Sequence, residues 1–458
     1  MASTYLSRTN GSPTLSNKFT ISVWVKRAEL STSGMNPMCG SDSTGSHATQ
    51  FYFDGPSLRF FDNYTSTDLV TNRKFRDTNA WYHIVAAIDT SQNTAADRVK
   101  IYVNGTQETS FATETYPTQN TGMIFNINGY VKYIGTAENT GGTKFGYFDG
   151  CMSHFHFVDG QQYNASVFGS TDATTGEWKI NTDPTMTMGN NGFTILKDAN
   201  TITDQSSNSN NFTLGAGTLT QTEDNPSSNF ATFNPLFRHG QTTSGSPDFF
   251  LNANTTFYTP SSNDARKGFF VSSLGMSSGK YYCEYKHRPG GRLMTGICNM
   301  NVLKSTSPPY DTTNQSLIAY YPVSSEIRYD NGATYTTGIQ SASDGDIFGF
   351  ALDMDNNHWY IHKNGTYFNS GDPTSGSTGT GSIISATSTS NYFNHGEMFF
   401  FAADFSTSGY ARAEFNFGNG YFASTAISSE GTNASNIGKF EYNVPTGYTA
   451  LSTKGLNE

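Results

Sequence analysis

The chain has 458 residues, more than one hydrophobic core usually serves, so two domains are expected. Charged residues are 14% and aromatics also 14%, with Gly, Ser, Thr and Asn abundant. That balance suits strands and turns, and the Phe and Tyr content excludes general disorder. Net charge is −10, from 27 basic and 37 acidic residues, and no stretch gathers Lys and Arg into a stripe, which removes the electrostatic footing for nucleic-acid binding.

The opening MASTYLSRTNG has no apolar core, and no segment approaches a membrane-spanning run, so neither a signal peptide nor membrane insertion is expected. Cys39, Cys151, Cys283 and Cys298 form no CxxC pair and read as buried free thiols in strands. A surface-type composition without an export signal fits a protein made in a cytoplasm and released by lysis.

Residues 1–180 read as one β domain. Phe19, Ile21, Val23 and Val25 alternate along a strand, with Trp24 on its other face. Asp54-Gly55-Pro56 turns a hairpin between FYF and LRF. His83–Thr90 and Arg98–Val103 are strands around a polar loop, and Asn104-Gly105 closes a tight type I′ turn. Met152–Val158 (MSHFHFV) is another strand. Strands recur about every 8 to 15 residues without a helical period, which points to a sandwich. Residues 181–250 are an Asn/Ser/Thr-rich connector. Its packets at Phe193–Leu196 and Phe212–Leu214 read as edge strands, and Phe230, Phe233, Leu236 and Phe237 imply partial order beyond them.

Residues 251–458 read as a second β domain, organised around Asp346–Phe368 (DIFGFALDMDNNHWYIHKNGTYF). Phe348, Phe350, Leu352 and Met354 alternate; Trp359 and Ile361 alternate in the next strand; Asn364-Gly365 closes a second type I′ turn. Further strand packets are Gly279–Tyr285, Met294–Cys298, Ile318–Tyr321, Glu326–Asp330, Glu397–Phe405 and Ala413–Phe417. The fold class is therefore all-β, two β-sandwich domains in tandem.

Phe19–Arg27, Trp81–Ile88, Lys100–Thr106, Tyr133–Gly135 and Tyr147–Val158 resemble the successive strands of a laminin-G-like, concanavalin-A-like jelly roll. GKYYCEY, TGIC, GDIFGFALDMDNNHWYIHKNG and FNFG resemble, in order, a SPRY-type sandwich, with Cys283 where that pattern has Trp and a long Gly/Ser/Thr loop at 371–381. STYLSRT, FRDTNAWYHIV, HFVDGQ, NFATFNPL and the late VPTGYTAL resemble virion proteins of marine tailed phages. That resemblance implies a virion-surface location, other virion proteins as partners and a homo-oligomer within the particle.

The residues offer little catalytic chemistry. A glycan-cleaving site needs two facing carboxylates. The nearest pairs, Asp353 with Asp355 and Asp344 with Asp346, sit at turn ends, where Asp caps backbone. Glu284 and Glu414 are single strand carboxylates read as solvent-facing. His154 with His156, and His358 with His362, share a strand face at i, i+2 and i, i+4, but no third ligand completes a metal set, and they too read as solvent-facing. The jelly-roll resemblance implies a rim calcium ion; Asp54, Asp62, Asp89 and Asp149 have rim-like contexts, in no recognisable calcium loop. No other cofactor is expected. Tyr64, Tyr116, Tyr130, Tyr310, Tyr321, Tyr329 and Tyr335 lie in turns or at strand ends among Asn and Asp, the setting in which rings stack on sugar faces. The expected function is non-enzymatic: a tail-fibre or appendage component binding bacterial surface polysaccharide. The alternative is a capsid or tail decoration contacting other subunits, and the remote one a glycan-cleaving enzyme.

Overall fold

The computed structural model describes residues 3–30, 33–42, 44–237, 250–259, 268–290, 293–304, 316–329, 333–337, 339–384, 390–404 and 411–457. The chain divides into two compact units, 1–221 with 225–227, and 222–224 with 228–458. Each is a pair of packed, mostly antiparallel sheets. Among the described residues no helix is long and apolar enough to cross a membrane.

In the first unit, one sheet runs Phe111–Thr115, Thr67–Thr71, Ser57–Asp62, Ala48–Asp54, Ser33–Ser41, Val131–Ile134, Tyr5–Thr9, Thr213–Ala216. The other runs Phe193–Ile195, Gly150–Asp159, Lys18–Arg27, Tyr82–Asp89, Val99–Val103, Thr106–Gln107. The alternating Phe19, Ile21, Val23 and Val25 meet Phe51, Phe53, Phe60 and Met38 between the sheets. The two apolar packets of the 181–250 stretch occupy opposite sheets of this unit. Phe193–Ile195 pairs the 150–159 strand, and Thr213–Ala216 pairs Tyr5–Thr9. Asn104 and Gly105 have φ of 46° and 80°, the two left-handed residues that a type I′ turn requires.

In the second unit, one sheet runs Phe250–Leu251, Thr256–Thr259, Ala411–Asn416, Lys280–His287, Ile347–Asp353, His358–Lys363, Thr366–Tyr367, with Thr449–Ala450 pairing Lys280–His287 in parallel. The other runs Gly268–Val271, Met398–Asp404, Leu293–Asn299, Leu317–Tyr321, Glu326–Tyr329, Ala333–Thr337. The meander closes at Asn364-Gly365, φ 48° and 83°. Phe233, Cys283, Phe348, Phe350, Trp359 and Phe400 share the core. Cys39, Cys283 and Cys298 are buried and not disulfide-bonded, and Cys151 is half-buried.

Several strand residues expected to face solvent are buried instead. Glu284, Glu414, His156, His358 and His362 are each under 5% exposed. Strand alternation assigns faces but not what covers them. In the second unit Ile437, Phe440, Val444 and Tyr448 lie over the outer face of the 280–287 and 358–363 strands. In the first unit Ala165, Phe168 and Trp178 cover Val85 on the outer face of the 82–89 strand. Both sheets therefore carry a third layer, and their outer residues are interior.

Candidate functional site

The loops at one rim of the first unit hold the most open aromatic ring of that unit. Asp42 organises the Asp42–His47 turn: its Oδ1 accepts the backbone N–H groups of Thr44 and Ser46, both at 3.0 Å, and the Thr44 hydroxyl at 2.9 Å. Its Oδ2 accepts the His47 N–H at 3.2 Å and meets His47 Nδ1 at 2.8 Å. Burial pushes the Asp42 carboxyl up, but His47, Thr44 and the backbone donors outweigh it and hold the group below the usual carboxylate range. Because the Asp42 carboxylate can only accept, His47 Nδ1 carries the proton of this contact.

Asn63 ties this turn to the next one. Its Oδ1 accepts the Ala48 N–H at 2.7 Å, and its Nδ2 donates to the Ser46 carbonyl at 2.9 Å. Tyr64 follows directly and is 53% exposed, with its ring 5.5 Å from that of His47 at 84°. A third loop joins at Thr140, whose hydroxyl reaches the Gly45 carbonyl at 3.5 Å. A Cβ on Gly45 would lie 2.1 Å from the Asn139 carbonyl oxygen, so only glycine permits that approach. The rim thus presents a ring face, an imidazole and short polar side chains on braced loops.

Of the tyrosines singled out in the sequence, Tyr64 alone is exposed among those with described side chains. Tyr116 is half-buried against the core; its hydroxyl donates to Glu114 Oε1 at 2.9 Å, and burial with that bond pushes it up to about 12. Tyr130 is half-buried. Tyr329 packs on the second core, 6.4 Å from Tyr392. Tyr321 is buried under the Arg328 guanidinium, 4.5 Å from its ring. Tyr335 lies in the Ala333–Thr337 strand, with its side chain outside the description, and Tyr310 lies outside the described residues. Sequence reading passed over Asp42, Asn63 and His47. The available signal was the Asp-x-Thr-x-Ser-His run, which has the spacing of a self-bonding Asx turn.

The acidic candidates serve turns and ion pairs. Asp353 is buried, pairs with Lys280 Nζ at 2.8 Å and accepts the Asn356 N–H at 3.0 Å, while Asp355 accepts the Gly279 N–H at 2.7 Å. Asp346 pairs with Lys363 at 2.8 Å and Asp344 with Arg288 at 3.5 Å. Glu414 is clamped by Arg288 at 2.9 Å and Arg412 at 2.7 Å. For the rim aspartates, Asp62 accepts Thr65 N–H at 2.8 Å, Asp89 pairs with Lys18 at 2.8 Å, Asp54 with Arg59 at 3.5 Å, and the Asp149 carbonyl accepts the Ala28 N–H at 2.9 Å. Among the described residues no three His, Cys, Asp or Glu side chains gather as a metal set.

One Ser–His contact in the first unit has the look of a nucleophilic dyad and the wrong polarity. Ser22 Oγ lies 2.8 Å from His83 Nε2, and Trp178 Nε1–H donates to His83 Nδ1 at 3.0 Å. Since indole can only donate, Nδ1 is the acceptor and Nε2 carries the proton, so His83 donates to Ser22 and cannot take its proton. The ring is stacked between Trp24, 4.9 Å away, and Trp178, 5.9 Å away, and burial pulls its pKa down to about 3.

Comparison with known proteins places the rim in a family setting. Residues 2–167 match the family described as the concanavalin A-like lectin/glucanases superfamily. The first unit carries a laminin-G/concanavalin-like domain. The 42–47, 63–64 and 139–143 loops all lie within this laminin-G-like span. No curated protein matches the chain. Among solved structures, the SPRY domain of human HERC1 is 17% identical, covering 35% of this chain and 87% of its own, with a TM-score of 0.27. Domains LG4-5 of the mouse laminin alpha1 chain are 7% identical, covering 96% and 92%, with a TM-score of 0.29. Domain 4 of AbnA, an extracellular arabinanase from Geobacillus stearothermophilus in complex with arabinotriose, is 20% identical, covering 32% and 63%, with a TM-score of 0.24.

Proposed function

We propose that this chain is a non-enzymatic virion surface protein of a tailed phage, a tail-fibre or appendage component, and that its laminin-G-like domain binds bacterial surface polysaccharide at the Tyr64 rim. The observation that carries this reading is Tyr64, an exposed ring held edge-on by His47 on braced loops within a lectin/glucanase-type domain. A rigid aromatic face beside amide, hydroxyl and imidazole groups stacks on the apolar face of a sugar and hydrogen-bonds its rim at little entropic cost. Binding rather than cleavage is favoured because Asp353, Asp355, Asp344, Asp346 and Glu414 are already bonded within turns and ion pairs. We read the second unit as SPRY-like, contacting other virion proteins, with the chain a homo-oligomer in the particle and made in the host cytoplasm. Decoration of the capsid or tail is the second reading, favoured by the exposed edge strand Thr213–Ala216, where Leu214 is 40% exposed.

The test is equilibrium binding of the full chain to a panel of bacterial surface polysaccharides, beside binding to virions depleted of it. Saturable, Tyr64-dependent binding to a polysaccharide supports host recognition. Tight virion binding with no polysaccharide bound at micromolar concentration overturns it in favour of decoration.

A further inference from the structure

Among the described residues of the first unit, Lys132 is the lysine with no exposed surface, and its amine meets an amide group. It lies in the Val131–Ile134 strand directly opposite Arg8, and Nζ sits 4.0 Å from the Phe157 ring centre and 5.0 Å from that of Phe125. Nζ donates to Asn10 Oδ1 at 2.5 Å. Asn10 is itself buried, two residues past Arg8. Its Nδ2 donates to the Phe125 carbonyl at 3.1 Å and the Ile127 carbonyl at 3.0 Å, which locks the orientation of the amide. The C=O bond adds about 1.2 Å to the Nζ–Oδ1 distance, so Nζ lies within about 3.7 Å of the Asn10 Cγ, close to a near-attack separation.

From this geometry we infer that Lys132 and Asn10 form an intramolecular amide cross-link. The Nζ lone pair attacks Cγ and a new Nζ–Cγ bond forms. The Cγ–Nδ2 bond breaks, one Nζ proton passes to Nδ2, and ammonia leaves. No oxidant, reductant or co-reactant is required. The surroundings favour each part of this step. Burial, with Arg8 adding to it, pulls the Lys132 amine well below the usual lysine range, which favours the neutral, nucleophilic form, and Asp159 partly opposes this. The two carbonyls that hold Nδ2 keep the amide from rotating away. Asp159 is itself held by Asn126 Nδ2 at 2.8 Å and by the Thr14 and Asn191 N–H groups at 2.7 and 3.0 Å. The product ties the segment after the Tyr5–Thr9 strand to a residue 122 positions later, so that strand could not peel from its sheet without breaking a covalent bond.

The test is mass spectrometry on the purified full chain, denatured and reduced. The cross-link lowers the intact mass by one ammonia, and a protease digest yields a branched peptide joining the Asn10 and Lys132 fragments. Asn10 precedes Gly11, so a succinimide at Asn10 would lose the same mass without a branch. Lys132→Arg separates the two, since the mass deficit disappears if the cross-link causes it and persists if a succinimide does. A wild-type chain at its full genetic mass overturns the inference, and so does a deficit without the branched peptide. Both wild-type outcomes decide the matter whether or not the variant folds.

Discussion

Tyr64 and His47 meet edge to face, ring centres 5.5 Å apart and nearly perpendicular, while Asp42 Oδ2 holds the imidazole at Nδ1. The ring that would meet a ligand is therefore positioned by a carboxylate it does not touch. Asp42→Asn keeps the volume but puts an amide donor against backbone N–H groups or the His47 ring. It should destabilise the turn by about 1–3 kcal/mol and weaken polysaccharide binding several-fold. Thermal unfolding and a binding titration on the same preparation check both effects.

Gly105 is left-handed at φ 80°, and a Cβ there would lie 2.4 Å from the Trp178 ring. Gly105→Ala should cost about 2 kcal/mol or more, from left-handed strain of roughly 1–2 kcal/mol plus displacement of the indole. Calorimetry should show a lowered transition for the first unit and an unmoved one for the second, which also assigns the two transitions.

Acid should weaken the first unit. Burial pulls His83 and His156 to about 3 and His154 to about 4, all below the ordinary value of 6.5. The unfolded chain therefore binds protons that the folded chain excludes. Stability is full above about pH 6.5 and falls as pH drops toward 3, by up to about 1.4 kcal/mol per pH unit for each histidine. The melting temperature of the transition moved by Gly105→Ala, followed from pH 7.5 to 4.5, should fall steadily; a flat profile contradicts the assignment of neutral buried histidines.

Glu284 carries the opposite slope in the second unit. Gly365 N–H donates to His362 Nδ1 at 3.1 Å, so His362 Nε2–H donates to the Tyr282 hydroxyl at 2.6 Å, which donates to Glu284 Oε1 at 3.0 Å. The Glu441 and Tyr442 N–H groups, at 2.9 and 2.8 Å, complete its shell and pin the C-terminal segment to the sheet. Burial nonetheless pushes its pKa up to about 7 from 4.5. Its contribution is thus complete below pH 4.5 and lost as pH rises through about 7. Glu284→Gln sets an amide against three donors and should cost about 1–3 kcal/mol, while removing that part of the pH dependence. The difference in melting temperature between wild type and variant, measured at pH 5 and pH 8, should shrink at the higher pH.

The hairpins at Asn104-Gly105 and Asn364-Gly365 were legible because their turn chemistry admits few alternatives. The alternating Phe19–Val25 and Phe348–Met354 runs were legible because one face of each meets a continuous core. The Ser33–Ser41 strand, SGMNPMCGS, carries Gly and Pro and two register shifts against its neighbour, so no period-2 pattern survives in it. Glu284, His156 and His362 were assigned to solvent because the layers covering them, around Phe440 and Phe168, lie far from them in sequence or carry no strand pattern. The Asp42–His47 brace carries no hydrophobic pattern because its bonds are local and polar, whereas Tyr116, Tyr321 and Tyr329, set among polar residues in sequence, pack on the cores.

The measurement that bears most directly on the account is the dissociation constant of a bound bacterial polysaccharide for wild type, Tyr64→Ala and Tyr64→Phe. Each is taken by isothermal titration, with melting temperature recorded beside it. Tyr64 is exposed, so neither substitution should move stability by more than about 0.5 kcal/mol. The account predicts that Tyr64→Ala weakens binding at least tenfold, about 1.4 kcal/mol, while Tyr64→Phe retains most of it through the ring face. Equal affinities for wild type and Tyr64→Ala, at unchanged stability, would contradict it.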